Sequence, residues 1–405
     1  MARYSIRKFA GISGERKAYL VDEMGIPHFY STLYVTTQIR NRSYSVDTGV
    51  QHLKAIRSLL DWAQLRNVDI ESLFSEREFL SDPQLDDIRD FSQIKRSQRE
   101  NRNVVSFKKD LETVSKQTHY STLTSIAEYL SYIASVIANR RNDDGVDAKI
   151  QRMVKGLKRR RPRAVSNDHR TVKDKAVKPN TLASIRDVTQ VGHEQNPWLD
   201  SIQLRNYLII ELLIVLGIRR GELCAIQTVD INLRENLVEI RRRQDDPNDS
   251  RSNQPKAKTA ERILILNEQL AQLIEKYINK DRSKYKVAKK HGYLFVSHTG
   301  KTKGQPISLD SINKMFNKLK ELTGDKDLSP HSLRHQWNYE FSNIIDGSDD
   351  PISNEREDAL RNYQMGWSPT SNMASTYNRR KIVEQSHKVT RKLQDKLYKG
   401  KKNGK

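Results

Sequence analysis

Apolar positions along this chain repeat with two different periods, and the change of period marks its elements. Ser45 is placed to cap a helix on which Val50, Leu53, Ile56, Leu59, Leu60 and Trp62 share one face. A second helical pattern runs over 122–141, with Leu123, Ile126, Leu130, Ile133 and Ile137 in register. Residues 41–157 therefore read as a small helical domain. Before it, residues 1–40 read as β-rich: KAYLVDEMG and PHFYSTLYVTTQIR carry β-branched and aromatic residues on either side of a Gly25-Ile26-Pro27 turn. After residue 180 the pattern predicts a helix over 181–190 and a fully apolar, buried helix over 203–217. Two strands, 237–243 and 262–267, form a hairpin with a long polar tip. A helix (268–280), a strand (293–297) and a helix (308–323) follow, then further helical segments. No spacing of repeat length appears. The expectation is a mainly α, α+β chain: a helical domain, then a mostly α domain with a small antiparallel sheet near its start.

Length and charge sharpen this picture. The 405 residues suit two or three domains at about 150 each. The net charge is +22 and the pI near 9.8, which favours a polyanionic partner, nucleic acid before a membrane surface. The charge is concentrated. Residues 158–178 carry nine basic and two acidic side chains, and residues 379–405 carry eleven and two, so 48 residues hold +16. The first run, with Lys158, Arg159, Arg160, Arg161 and Arg163 at its head, reads as a solvated linker over 158–179. It is either a strap on a phosphate backbone or a merely solubilising stretch. One cysteine, Cys224, excludes a disulfide scaffold and a multi-cysteine zinc site. The opening MARYSIRKFAG has no apolar core of a signal peptide, and YLIIELLIVLGI at 207–218 is too short to span a bilayer. A cytosolic-type protein is expected.

Five spots offer chemistry, each with an ordinary alternative. In LGIRRGEL, Arg219 precedes Glu222 by three positions, a texture also common at solvated helix starts. In SPHSLRHQW, His331 and Arg334 lie on one face of a helix and suit a phosphate. The His331/His335 pair has no cysteine or intervening glutamate to complete a zinc site. Lys256 and Lys258 sit near the hairpin tip, where most lysines are only solvated. Trp367 (MGWSP) and Tyr377 (STYNRR) say little singly, since the chain has sixteen tyrosines.

In this order the five spots resemble the tyrosine recombinase (phage integrase) family. LGIRRGEL looks like its first arginine box, PKAKTAERILIL like its hairpin lysine box and HSLRH like its His-x-x-Arg box. MGWSPTSNMASTY looks like its terminal segment, with ten positions from Trp367 to Tyr377. The resemblance covers about 200 residues. The family more often has histidine where this chain has Trp367, whose indole N–H is the expected substitute. Lys256 is the better match to the family lysine, although Lys258 lies closer to the strand.

The resemblance implies a site-specific recombinase for integration, excision or transposition of a mobile element. Arg219 and Arg334 would grip the nonbridging oxygens of a DNA phosphodiester. Tyr377 would attack to give a 3′-phosphotyrosine and a free 5′-hydroxyl without ATP, and His331 would move protons. A hairpin lysine, Lys256 or Lys258, would protonate the leaving oxygen. Trp367 would donate a hydrogen bond and Glu222 would orient a neighbour. No cofactor and no metal is implied. The implied layout is a β-rich extension or arm (1–40), a core DNA-binding domain (41–157), the linker, a catalytic domain (180–380) and a basic C-terminal helix (381–405). That tail carries Ile382, Ser386, Val389, Leu393 and Leu397 at helical spacing. Implied partners are double-stranded DNA bearing specific sites, a homotetramer clamped on two such sites, and an accessory DNA-bending protein. The implied location is bacterial-type, cytoplasmic and nucleoid-associated. Two alternatives remain: a type IB-like topoisomerase, and a catalytically idle DNA-binding protein of the same fold.

Overall fold

The computed structural model describes residues 4–99, 112–138, 143–163, 176–255, 259–349, 352–371, 386–387 and 389–394. The chain divides into two units, Met1–Asn167 and Asp168–Lys405.

The first unit opens with a hairpin. Strand β1 (Ser5–Ala10) pairs antiparallel with β2 (Arg16–Val21), Ser5 opposite Val21 and Ala10 opposite Arg16. Alternation along β2 buries Arg16, Ala18 and Leu20, and the Arg16 guanidinium is satisfied by donating to Gly14 O at 2.6 Å. The expected second strand after Gly25 does not form. Residues Phe29–Tyr34 are helix α1, continued by a π-helical stretch at Val35–Arg40. The His28 imidazole caps α1 by accepting the Ser31 N–H. Although β-branched and aromatic, this segment buries Ser31, Tyr34, Val35 and Ile39, which lie at helical spacing. Packing on that face overrides strand propensity.

Helix α2 (Val46–Leu65) starts where Ser45 Oγ accepts the Thr48 N–H at 3.1 Å. With α3 (Ile70–Ser75), α4 (Asp82–Gln93), α5 (Lys116–Ala138) and α6 (Asp144–Arg159) it encloses one core. Ala18 and Leu20 of the hairpin and Tyr34, Val35 and Ile39 lie in that same core, so residues 4–40 pack as part of this unit.

The second unit begins with α7 (Pro179–Val188) and α8 (Asp200–Leu216). Helix α8 is apolar on nearly all sides, hence buried, and its Glu211 accepts Arg186 Nε and Nη2 at 2.9 and 2.6 Å. The short helix α9 (Arg220–Ala225) leads into a three-stranded antiparallel sheet, β3 (Ile231–Asn232), β4 (Leu237–Ile240) and β5 (Arg262–Ile265). Leu237 opposes Ile265 and Ile240 opposes Arg262, which is the long-tipped hairpin expected from the alternation. The strand expected at 293–297 is replaced by isolated bridges, Gln227 to Tyr293 and Val296 to Pro306. Tyr293, Leu294, Phe295 and Val296 are all buried, so this run lacks the two-faced alternation of a sheet edge. Helices α10 (Glu268–Lys280), α11 (Lys286–His291), α12 (Leu309–Thr323), α13 (Pro330–Asp346) and α14 (Asn354–Met365) follow, and the described residues of 386–394 are helical. The mainly α architecture with small antiparallel sheets matches the fold class read from the sequence. Among the described residues, no helix is long and apolar enough to cross a membrane.

One buried histidine ties this core to pH. His298 Nδ1–H donates to Ser201 O at 2.7 Å, and the Tyr277 hydroxyl lies 3.5 Å from its Nε2. Burial, helped by the nearby Arg205 charge, pushes its imidazole down to about 4. The unfolded chain takes up this proton near pH 6.5 while the folded one resists it. The stabilisation is therefore complete above that pH and declines as the pH falls towards 4. The urea-unfolding free energy of the wild type should drop over this window by up to about 1.4 kcal/mol per pH unit more than that of His298→Gln. Parallel curves for the two proteins would remove His298 from this role.

Candidate active site

The site starts at the end of α8. Gly217 closes that helix with φ +60°, and a Cβ there would lie 2.7 Å from Trp337 Cγ of α13. Only glycine combines this turn with that approach. Trp337 Nε1 also donates to Val215 O at 3.0 Å, locking α13 onto α8. The turn buries Ile218 and sets Arg219 as the residue capping α9. Glu222 Oε2 accepts the Arg219 backbone N–H at 3.0 Å, a carboxylate at a helix N-terminus where the dipole favours it. The Arg219 side chain is 31% exposed as a whole, while its Nη1 is buried 3.6 Å from Glu222 Oε1. That Nη1 has no hydrogen-bond partner among the described residues.

Glu222 is itself buried and shared. Arg262 Nη2 donates to it at 2.9 Å, and Thr259 Oγ1 donates a second bond. Burial works to raise its pKa, but the charge and hydrogen bond of Arg262, the charge of Arg334 and the Thr259 hydroxyl outweigh it. The carboxyl is held below its ordinary value and stays ionised.

Arg334, on the first turns of α13, is 1% exposed. Its Nη1 donates to Gly217 O at 2.8 Å and its Nη2 to Met365 O at 2.9 Å. Its guanidinium carbon lies 5.4 Å from the centroid of the Trp367 ring, a cation–π contact with a largely buried indole. His331 is exposed three residues earlier, its ring 4.5 Å from that of His335. Ser329 Oγ caps this helix by accepting the Ser332 N–H.

The structure thus gathers Arg219, Glu222, Arg334 and Trp367 around the turn after α14 and places His331 on the same helix as Arg334. Lys256, Lys258 and Tyr377 lie outside the described residues, as do 164–175 of the linker and most of the C-terminal helix. The head of the linker differs from the solvated run expected. Helix α6 continues through Arg159, so Lys158 and Arg159 are helical. Arg160 Nε donates to Asp86 at 2.8 Å and its Nη2 to Asp82 at 3.0 Å. Arg161 donates to Thr124 Oγ1 and lies 4.5 Å over the Tyr120 ring. Arg159 and Arg163 are exposed.

Arg262 and Thr259 were not among the residues singled out from the sequence. The signal was present in β5, where alternation puts Arg262 on the face of Leu264. An arginine on a buried strand face needs buried acceptors, which here include a carboxylate.

Residues 184–345 match the model of the phage integrase family. The matched stretch lies within the second unit. The chain is 30% identical over 139 residues to the tyrosine recombinase XerD of Halalkalibacterium halodurans, a match covering 34% of this chain and 40% of that protein. It is 25% identical over 214 residues to the TnP I resolvase of Bacillus thuringiensis, covering 52% of this chain and 66% of that protein. The chain therefore spans from two fifths to just under two thirds of these relatives. The fold is similar to a solved structure of the Tn1549 transposon integrase in complex with a circular intermediate DNA. That match has a TM-score of 0.50 at 15% identity and covers 86% of this chain and 94% of the other. A second Tn1549 integrase structure, with transposon right end DNA, also matches at a TM-score of 0.50, with 16% identity and coverage of 88% and 99%.

Proposed function

We propose that this chain is a site-specific DNA recombinase of a mobile element, which breaks and rejoins DNA through a tyrosine–phosphate link. The observation that carries the reading is the pairing of two differently held guanidiniums beside one turn. Arg334 is buried and fixed by two carbonyls, while the Arg219 side chain is partly exposed and holds a buried Nη1 that makes no hydrogen bond among the described residues. A phosphodiester is an anion that repels a nucleophile, and the pentavalent transition state concentrates charge on its nonbridging oxygens. One guanidinium fixed by carbonyls and one with an uncommitted donor supply what that state needs. The integrase family match and the recombinase relatives support the same reading.

In this reading Tyr377 attacks phosphorus, leaving a 3′-phosphotyrosine and a 5′-hydroxyl. The phosphoester preserves the bond energy, so the reverse attack rejoins strands without ATP. His331, exposed beside Arg334, moves the phenolic proton, and Lys256 or Lys258 protonates the leaving oxygen. Trp367 backs Arg334 with its ring. Arg159, Arg163 and the basic residues beyond add phosphate contacts whose affinity falls with salt. The working state is a tetramer on two DNA sites, assisted by a bending protein.

The test uses the full chain and duplexes tiled across the DNA that flanks its coding segment, carrying bridging 5′-phosphorothiolates that trap the adduct. Expected is a covalent complex at one defined position per strand, joined to the 3′ phosphate. Absence of any adduct overturns the reading. Plasmid relaxation without a required site, and without exchange between two sites, moves it to a type IB topoisomerase.

A further inference from the structure

The proposed anion grip contains a charge that works against it. Glu222 is a buried carboxylate, and its Oε1 lies 3.6 Å from Arg219 Nη1, a buried nitrogen that makes no hydrogen bond among the described residues. Left to itself, such a carboxylate would draw in the nearest cation, because an ion in the interior must be paired. The cation already 3.6 Å away on its own helix, Arg219 three residues before it, is the one the phosphate needs. A second cation intervenes. The Arg262 side chain is 1% exposed, and its Nη2 donates to Glu222 Oε2 at 2.9 Å, well inside the Arg219 separation.

We infer that Arg262 is the resident counter-ion of Glu222, and that by holding this carboxylate it leaves the charge of Arg219 available to the DNA phosphate. Arg262 is then a positioning residue, acting through Glu222 and Arg219, and the inference rests on the recombinase reading above.

Its own position is set from the other side. Arg262 Nε donates to Gln364 O at 2.7 Å, Arg334 Nη2 takes Met365 O, and the Ala260 N–H takes Gly366 O at 2.9 Å. Three successive carbonyls before Trp367 are thus fixed, two of them by guanidiniums. Gly366 has φ +63°, and a Cβ there would lie 2.6 Å from Arg262 Nη1, so the turn is moulded to this side chain. A residue that only filled space would not need an aligned carboxylate on one edge and a carbonyl on another. Arg262 has both.

The experiment compares wild type, Arg262→Met, Glu222→Gln and the double variant on a suicide duplex carrying the mapped site. Two quantities are read: the rate of adduct formation and the salt slope of duplex affinity. In Arg262→Met the unpaired Glu222 recaptures Arg219, so the rate should fall about a hundredfold and the slope by about one. In the double variant no carboxylate charge remains, so the slope should return and the rate recover at least roughly tenfold over Arg262→Met. Lost packing is not mended by a glutamine at 222, so a purely structural Arg262 gives no recovery. Arg262→Lys keeps the charge and should keep the slope, which guards against reading a folding defect. An Arg262→Met rate equal to wild type, or a double variant no faster than Arg262→Met, overturns the inference while the recombinase reading stands. A wild type without adduct, whose slope still falls in Arg262→Met and returns in the double variant, overturns the recombinase reading and leaves the counter-ion.

Discussion

Tyr377→Phe is expected to abolish the covalent adduct and to leave duplex affinity and its salt slope unchanged. The substitution removes one oxygen, the atom that would bond to phosphorus, and no charge, so contacts that hold the phosphate backbone are untouched. Three other tyrosines of the second unit are poor substitutes. Tyr277 and Tyr293 are buried, burial pushes both phenols up, and Tyr293 already donates to Asp246 at 2.8 Å. Tyr363 is exposed on α14, but its hydroxyl donates to Ile263 O at 3.1 Å. Gel-shift affinity at several salt concentrations and denaturing-gel detection of the adduct give both quantities. An adduct at wild-type yield in Tyr377→Phe would place the nucleophile elsewhere in the chain.

How much of this was legible beforehand depended on the range of the interactions involved. Local signals carried through: the Ser45 cap, the apolar run that becomes α8, and the alternation that pairs β4 with β5. The four boxes were readable because each lies within a few residues, and the structure brings the Arg219, His331–Arg334 and Trp367 boxes to one turn. What failed was decided by distant partners. Residues 29–40 carry strand-like side chains, yet Tyr34 packs edge-on to Tyr129, almost a hundred residues later, and the helix wins. Arg160 looked like one more solvated cation until Asp82 and Asp86, more than seventy residues earlier, accepted it. Arg262 stayed hidden for the same reason, because Glu222 and Gln364 lie 40 and 102 positions away. Hydrophobic period predicts which face is buried. It does not name the charge that waits on that face.

Arg334→Lys should be the most damaging conservative change in the described part of the site. A lysine carries a single ammonium on a flexible stem, whereas the guanidinium here spans Gly217 O and Met365 O while lying over the Trp367 ring. The ammonium can reach one of those carbonyls or a phosphate oxygen, not all three. Leaving a buried carbonyl without its donor costs about 1–3 kcal/mol of stability. Glu222 also loses part of the positive field that keeps it ionised. The catalytic loss adds to this, since removing one preorganised donor to a developing oxyanion typically lowers a rate by about 10²–10³-fold. The expected result is a fall of about a thousandfold in the single-turnover rate of adduct formation at saturating DNA, together with a lower urea midpoint. Arg219→Lys provides the contrast. Its side chain is partly exposed and ties down no carbonyl among the described residues, so its rate should fall while its midpoint holds. If Arg334→Lys keeps its rate within about tenfold of wild type, Arg334 only braces the turn and Arg219 grips the phosphate alone.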